Sequence, residues 1–167
     1  MRPLPSREVR TLIALWRAGY LRPWETPAVA ELLLREHEGM NLSLLATEDW
    51  KSPVLSELFE KCLKDINEPT PAMEVEEMEL LVLEHYRCEL ATGRADTWEL
   101  LTEVYGFRAY PAKLRTEKAE DLRNLFRWLM SHYDALTSYS QSTPEEFEEL
   151  RLEAVKACRE WPHEWDK

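Results

Sequence analysis

Two stretches decide the fold: Trp16-Arg17-Ala18-Gly19-Tyr20-Leu21-Arg22-Pro23-Trp24-Glu25 and Leu90-Ala91-Thr92-Gly93-Arg94-Ala95-Asp96-Thr97-Trp98-Glu99. Each runs from a helix-like segment into a Gly and opens a new one at a Trp-Glu pair, with the same Gly-x4-Trp-Glu spacing. Glycine adopts the left-handed backbone that ends helices without a side-chain penalty. The spacing predicts two helical hairpins. Gly19 and Gly93 lie 74 positions apart, and beyond the motif Ala30 resembles Val104 and Leu33 resembles Phe107, while Leu15 falls opposite Glu89. An ancestral duplication and two ordinary helix–turn–helix junctions both fit this pattern.

Working outward, four dipeptides mark helix starts: Thr26-Pro27, Ser52-Pro53, Thr70-Pro71 and Thr143-Pro144. The hydroxyl accepts from the first free amides, and the proline that follows lacks an N–H that would be unpaired anyway. Thr143 with Glu146 also forms a capping-box pattern, and Asp96 with Glu99 resembles one. Apolar periodicity supports these starts. The stripes are Leu55, Leu58, Phe59, Cys62, Leu63, Ile66; Val75, Met78, Leu81, Val82, His85; Leu122, Leu125, Phe126, Leu129, Tyr133, Leu136; and Phe147, Leu150, Ala154, Cys158, Trp161. Helices are expected over 6–18, 27–38, 53–66, 71–91, 97–105, 117–138 and 144–160, with 39–50 a site for a further short one. Only Val104 to Tyr110 has a composition that could extend. The expectation is an all-α fold, a compact bundle of about seven helices with two helix–turn–helix hairpins.

The length of 167 residues suits a single domain, taken as 1–167, with two domains the outside reading. The net charge is −11, so nucleic acid and anionic membrane are not expected as partners, and a basic protein is favoured. Ordinary solubility accounts for such a charge as well. Cys62, Cys88 and Cys158 are an odd number, far apart, with no CxxC pair, which argues against a disulfide framework. No signal-peptide core follows Arg2, and no apolar run approaches a membrane span, so a cytoplasmic location is expected. Seven Trp require that some be buried and leave others for a contact surface.

The common chemistries are missing. Glycines at 19, 39, 93 and 106 cannot form a P-loop or a GxGxxG turn, and there is no GxSxG, HExxH or kinase set. The lone Glu-x-x-His, Glu160 to His163, contains Pro162 and cannot be helical. His85 and Cys88 share a helix face and would need two more ligands for zinc; packing as a core histidine and a small hydrophobe is the simpler account. Cys158 falls on an inner stripe, and His37 stands between Glu36 and Glu38 as a solvated helix end or a base. No catalytic residue, metal ligand or cofactor is assigned.

Two acidic clusters open helices: Glu74, Glu76, Glu77 and Glu79, and then Glu145, Glu146, Glu148 and Glu149. Carboxylates there complement the helix dipole. Read functionally, they form a face that docks a basic partner, with Trp165 in the tail as an anchor. Basic residues gather at Arg2, Arg7, Arg10, Arg17 and Arg22, and at Arg108, Lys113, Arg115, Lys118, Arg123 and Arg127. The second group, with Tyr105, Phe107, Tyr110 and Trp128, has a nucleic-acid-like composition, but pairing with the acidic helices is the simpler account.

The segments Trp16 to Glu25 and Leu90 to Glu99 give the chain a resemblance to the small, acidic, all-helical immunity proteins that bacteria make against their own polymorphic toxins. The resemblance covers about 12–34 and 78–105 and implies, by analogy, a protein that binds one cognate toxin and blocks its active site or folding. No contact residue carries over. The alternatives are a helical scaffold or regulatory subunit of a larger bacterial or phage complex, and an enzyme with a metal site around His85 and Cys88.

Overall fold

Gly19 and Gly93 take the left-handed backbone that the repeated spacing requires, at φ +80° and +74°. They are the only described residues in that left-handed region. At Gly19 the turn is complete: its N–H donates to Trp16 O (3.0 Å) and Tyr20 N–H reaches back to Leu15 O (2.9 Å). At Gly93 the N–H donates to Leu90 O (3.2 Å). The computed structural model describes residues 7–67, 75–94, 96–107 and 112–161. The Thr70-Pro71 start, Glu74, the side chain of Val75, Arg2, Arg108, Tyr110 and the tail with Trp165 lie outside the described residues.

Eight α-helices and no strand occur among the described residues, so the chain is all-α, with one helix more than the spacing suggested. They are α1 (Arg7–Arg17), α2 (Thr26–Leu33), α3 (Met40–Thr47), α4 (Leu55–Asn67), α5 (Val75–Ala91), α6 (Thr97–Gly106), α7 (Glu117–Ser138) and α8 (Pro144–Glu160). Short 3₁₀ turns cover Pro23–Glu25 and Ala112–Leu114. The undecided 39–50 segment supplies α3. Of Val104 to Tyr110, the candidate for extended structure, Val104 to Gly106 complete α6, Phe107 is an extended cap residue, and 108–110 lie outside the described residues.

Thr143 caps α8 through the expected box, with its hydroxyl accepting from Glu146 N (3.3 Å) and Glu146 Oε2 accepting from Thr143 N (2.7 Å). Two other caps depart from expectation. Thr26 lies inside α2 and donates its hydroxyl to Pro23 O (2.6 Å), because the 3₁₀ turn has already started the chain coiling. Asp96 precedes α6 without a side-chain cap bond; its carboxylate receives Arg94 Nη2 (2.9 Å) instead.

By its contacts the chain divides into two compact units, Met1–Met78 and Glu79–Lys167. In the first, the most extensive helix packing is of α2 on α3 and α3 on α4. Its core holds Val9, Ile13, Val29, Leu33, Leu42, Leu45, Leu55, Phe59, Cys62 and Leu63. Trp16 meets Phe59 edge-on at 4.7 Å, and its indole N–H donates to Glu60.

In the second unit α6 pairs with α7, and α7 with α8. Leu81, Val82, Leu83, Tyr86, Leu90, Leu101, Val104, Leu122, Phe126, Leu129, Leu150, Ala154 and Cys158 are buried. Arginines close its helix ends. Arg87 of α5 donates to Cys158 O (2.8 Å), while Arg159 and Arg151 of α8 donate to Ala91 O (2.7 Å) and Gly93 O (2.9 Å). A cation on the last carbonyls satisfies orphan acceptors and suits the helix dipole.

The described tryptophans are placed at the margins of the cores. None of the six described is fully buried: Trp24, Trp50 and Trp128 are exposed, and Trp16, Trp98 and Trp161 are half-buried. Leu and Phe fill the cores, and the indoles lie at their margins, where a large amphipathic ring fits best.

Candidate functional site

The four carboxylates of the first turns of α8 are all exposed, though two of them do local work. Glu146 completes the cap. Glu148 takes Arg151 with both oxygens (2.8 and 2.7 Å), and this hydrogen bonding holds its carboxyl below the usual range. Glu145 and Glu149 are exposed beside them.

The α5 cluster is broken up. Glu76 is exposed, and the half-exposed Glu77 receives Arg10 of α1 at 2.5 Å. Glu79 is not on a surface at all: it is 1% exposed, with Oε1 accepting from Arg115 Nε (2.8 Å) and lying 3.7 Å from Arg123 Nη2. Arg123, itself buried, donates to the carbonyls of Val104 (2.9 Å), Tyr105 (3.4 Å) and Phe107 at the end of α6. Glu84 continues the network, receiving Arg87 (3.0 Å) and Lys118 (3.4 Å). Of the basic residues around α7, Arg115, Lys118 and Arg123 are thus paired with α5, in line with the simpler sequence account, while Arg127 pairs with Glu120 of its own helix. Arg115 and Arg123 are internal clamps, buried with Glu79.

Beside the α8 carboxylates lies a feature the sequence reading missed. Trp98 of α6 stacks on Tyr133 of α7 (4.4 Å between centroids, 18° between planes), and Tyr133 meets Phe147 of α8 edge-on at 6.1 Å. All three rings are half-buried. They border two open grooves. One of about 380 Å³ is lined by Gly93, Trp98, Pro144, Phe147, Glu148 and Arg151. The other, of about 370 Å³, is lined by Trp98, Glu99, Thr102, Glu103 and Tyr133. Tyr133 and Phe147 were read as stripe residues of α7 and α8. Their positions late in one helix and in the first turn of the next were the available sign that they end at the rim of the core.

In the first unit a cleft of about 280 Å³ gathers Glu36, His37, Glu38, Leu42, Asp65 and Ile66, with Asn41 donating to Asp65 (2.7 Å). It holds no nucleophile. His85 and Cys88 do not form a ligand set: His85 is half-buried edge-on to Tyr86, and Cys88 is exposed. Among the described residues no three His, Cys, Asp or Glu side chains are placed to hold a metal. Burial pushes the thiols of Cys62 and Cys158 up to about 11 and about 12, far from the thiolate a nucleophile needs. No helix among the described residues is long and apolar enough to cross a membrane.

No protein-family model, curated protein or solved structure matches the chain.

Proposed function

We propose that this chain is a non-catalytic protein-binding module, acting in the cytoplasm as an immunity or inhibitor protein that neutralises a basic toxin by binding it. The observation that carries the reading is the exposed acidic start of α8 set against half-buried Trp98, Tyr133 and Phe147. Amphipathic aromatics ringed by charge are the composition of interface hot spots. The net charge of −11 would steer a basic partner toward it and raise the association rate.

The test is affinity capture at low and moderate salt by the wild type and by a variant with Glu145, Glu148 and Glu149 changed to Lys. Glu146 stays, because it caps α8. The reading expects one dominant basic protein, captured in stoichiometric amount by the wild type and about tenfold or more weakly by the variant, at similar melting temperatures. Equal capture by both proteins would overturn it.

A scaffold role has its own supporting observation in the first unit. Met40 and Leu44 lie one turn apart on α3, at 81% and 51% exposed, and Trp50 and Val54 follow in the next loop, also exposed. Sedimentation that shows self-association, lost on changing Met40 and Leu44 to Ser, would favour it. No observation favours the metal enzyme.

A further inference from the structure

We propose that the two grooves sharing Trp98 form one docking track for an extended, proline-rich segment of the partner protein that carries a basic residue at its flank. The inference deepens the binding reading above and rests on it. The linings decide the kind of ligand. The groove of about 380 Å³ has Trp98, Phe147 and Pro144 as its apolar side chains, and the groove of about 370 Å³ has Trp98 and Tyr133. In both described linings, therefore, every apolar side chain is aromatic or proline, with no Leu, Ile, Val or Met. Three modes of peptide recognition compete for such a surface. Strand addition needs a sheet edge, and no strand occurs among the described residues. A helix lays anchors at i, i+3, i+4 and i+7 into a continuous hydrophobic groove. Here Glu148 and Arg151 interrupt one lining and Glu99 the other. A polyproline II segment docks on aromatic-lined grooves, which is what these linings offer.

The rings are set in place before a ligand arrives. Trp98 of α6 stacks on Tyr133 of α7 at 4.4 Å, and Tyr133 meets Phe147 of α8 edge-on at 6.1 Å. Rings held by one another lose little rotamer freedom on binding, and a proline-rich segment is already extended when free, so the ordering cost is small on both sides. Such a segment repeats every three residues, about 9 Å. Consecutive turns can therefore occupy the two grooves with the Trp98 ring as the ridge between them. Charge sets the flank. Exposed Glu99 borders one groove, and exposed Glu145 and Glu149 adjoin Pro144, Phe147 and Glu148 of the other. Arg151, the one basic residue in the described linings, is forked onto Glu148 and donates to Gly93 O. The surrounding field is negative, which complements a cation beside the prolines. Glu103 also lines the second groove, but it is engaged within this chain, its charge acting on His85, and it takes no part.

The probe is acetyl-Arg-Pro-Pro-Pro-Pro-Pro-Pro-amide, against a flexible peptide of equal length and charge in which Gly and Ser replace the prolines. The full ¹⁵N-labelled chain is titrated, and the Trp98 indole N–H is followed after assignment with W98F. The expected result is a saturable shift with the proline peptide and a response about tenfold weaker, or none, with the flexible one. Exchanging the arginine of the peptide for glutamate should weaken binding about fivefold or more at low salt. Phe147→Leu, which keeps an apolar side chain and removes the ring, should weaken it about threefold or more at a similar melting temperature. Equal response to the proline and flexible peptides, no response at Trp98, or unchanged affinity for the glutamate peptide or in Phe147→Leu would each overturn the proposal. The peptide comparisons use the wild type and do not depend on how the variant folds. The captured partner separates this from the wider reading. If the partner binds Phe147→Leu as tightly as the wild type, the groove assignment fails and the binding module stands. If the peptide results hold but the Lys variant of α8 captures equally, the track stands as a polyproline site and the toxin-binding reading fails.

Discussion

Glu79 shows how one residue departs from a pattern read by composition. It falls in a run of acidic residues, yet it also precedes Leu83, Tyr86 and Leu90 at i+4, i+7 and i+11, which is a second apolar stripe on α5. Burial on that stripe put it against Arg115 and Arg123. Breaking a buried pair from one side strands a desolvated charge and costs about 3–5 kcal/mol. Glu79→Ala should therefore lower unfolding free energy by about that much in urea titration, whereas Glu76→Ala, at an exposed position, should be near neutral. Equal small effects would put Glu79 back on the surface. The thiols give a second residue-level prediction. Cys62 and Cys158 are buried with raised pKa, and Cys88 is exposed, so an aromatic disulfide reagent should label one thiol in the native chain and all three in denaturant. Cys88→Ser should abolish the native reaction. His85 titrates with a sign of its own. Burial lowers its pKa, opposed by the charges of Glu89 and Glu103. The unfolded chain then binds the proton more readily, so its contribution to stability is full above the ordinary value of about 6.5 and is lost as pH falls below it. The melting temperature of His85→Gln should change less than that of the wild type between pH 7.5 and pH 5.5, because the variant lacks this protonation; an identical loss would remove His85 from the account.

At the scale of elements, most of the fold was legible. The stripes and the Thr143 cap located α4, α7 and α8 because local signals and burial agree there. The glycine turns were legible because a positive φ leaves few residue choices. What followed each turn was not. Gly19 leads through a 3₁₀ turn in which Glu25 accepts from Arg22 N (2.5 Å), whereas after Gly93 the Arg94 side chain bridges Glu89 (3.0 Å) and Asp96 (2.9 Å). Those choices depend on side chains meeting through space, which a shared spacing does not encode. The same limit hid the Trp98–Tyr133–Phe147 shelf, since three helices must assemble before the rings touch. Gly93→Ala tests the turn. A methyl there would meet Val155 Cγ1 at 3.7 Å, an ordinary contact, so the cost is the left-handed backbone at φ +74°, about 1–2 kcal/mol. A loss near zero would mean that the turn relaxes away from the left-handed region.

For the whole molecule, the charge of −11 sets one sign for stability and the opposite sign for association. Within each unit the buried and half-buried pairs, such as Arg115 with Glu79, are shielded from ions by burial, so salt weakens them little. The excess carboxylates are mostly exposed, and their mutual repulsion acts through solvent, where salt screens it fully. Between about 20 mM and about 300 mM NaCl the Debye length falls from roughly 20 Å to about 6 Å. Long-range repulsion fades over that range while short contacts persist, so the melting temperature should rise. Steering of a basic partner depends on the same field, so the association rate should fall over the same range. Thermal melts and stopped-flow association across one salt series read both effects. A melting temperature that falls with salt would show that exposed attractive pairs such as Lys61 with Glu57 outweigh the net repulsion, and the uncompensated field assumed for steering would then be absent.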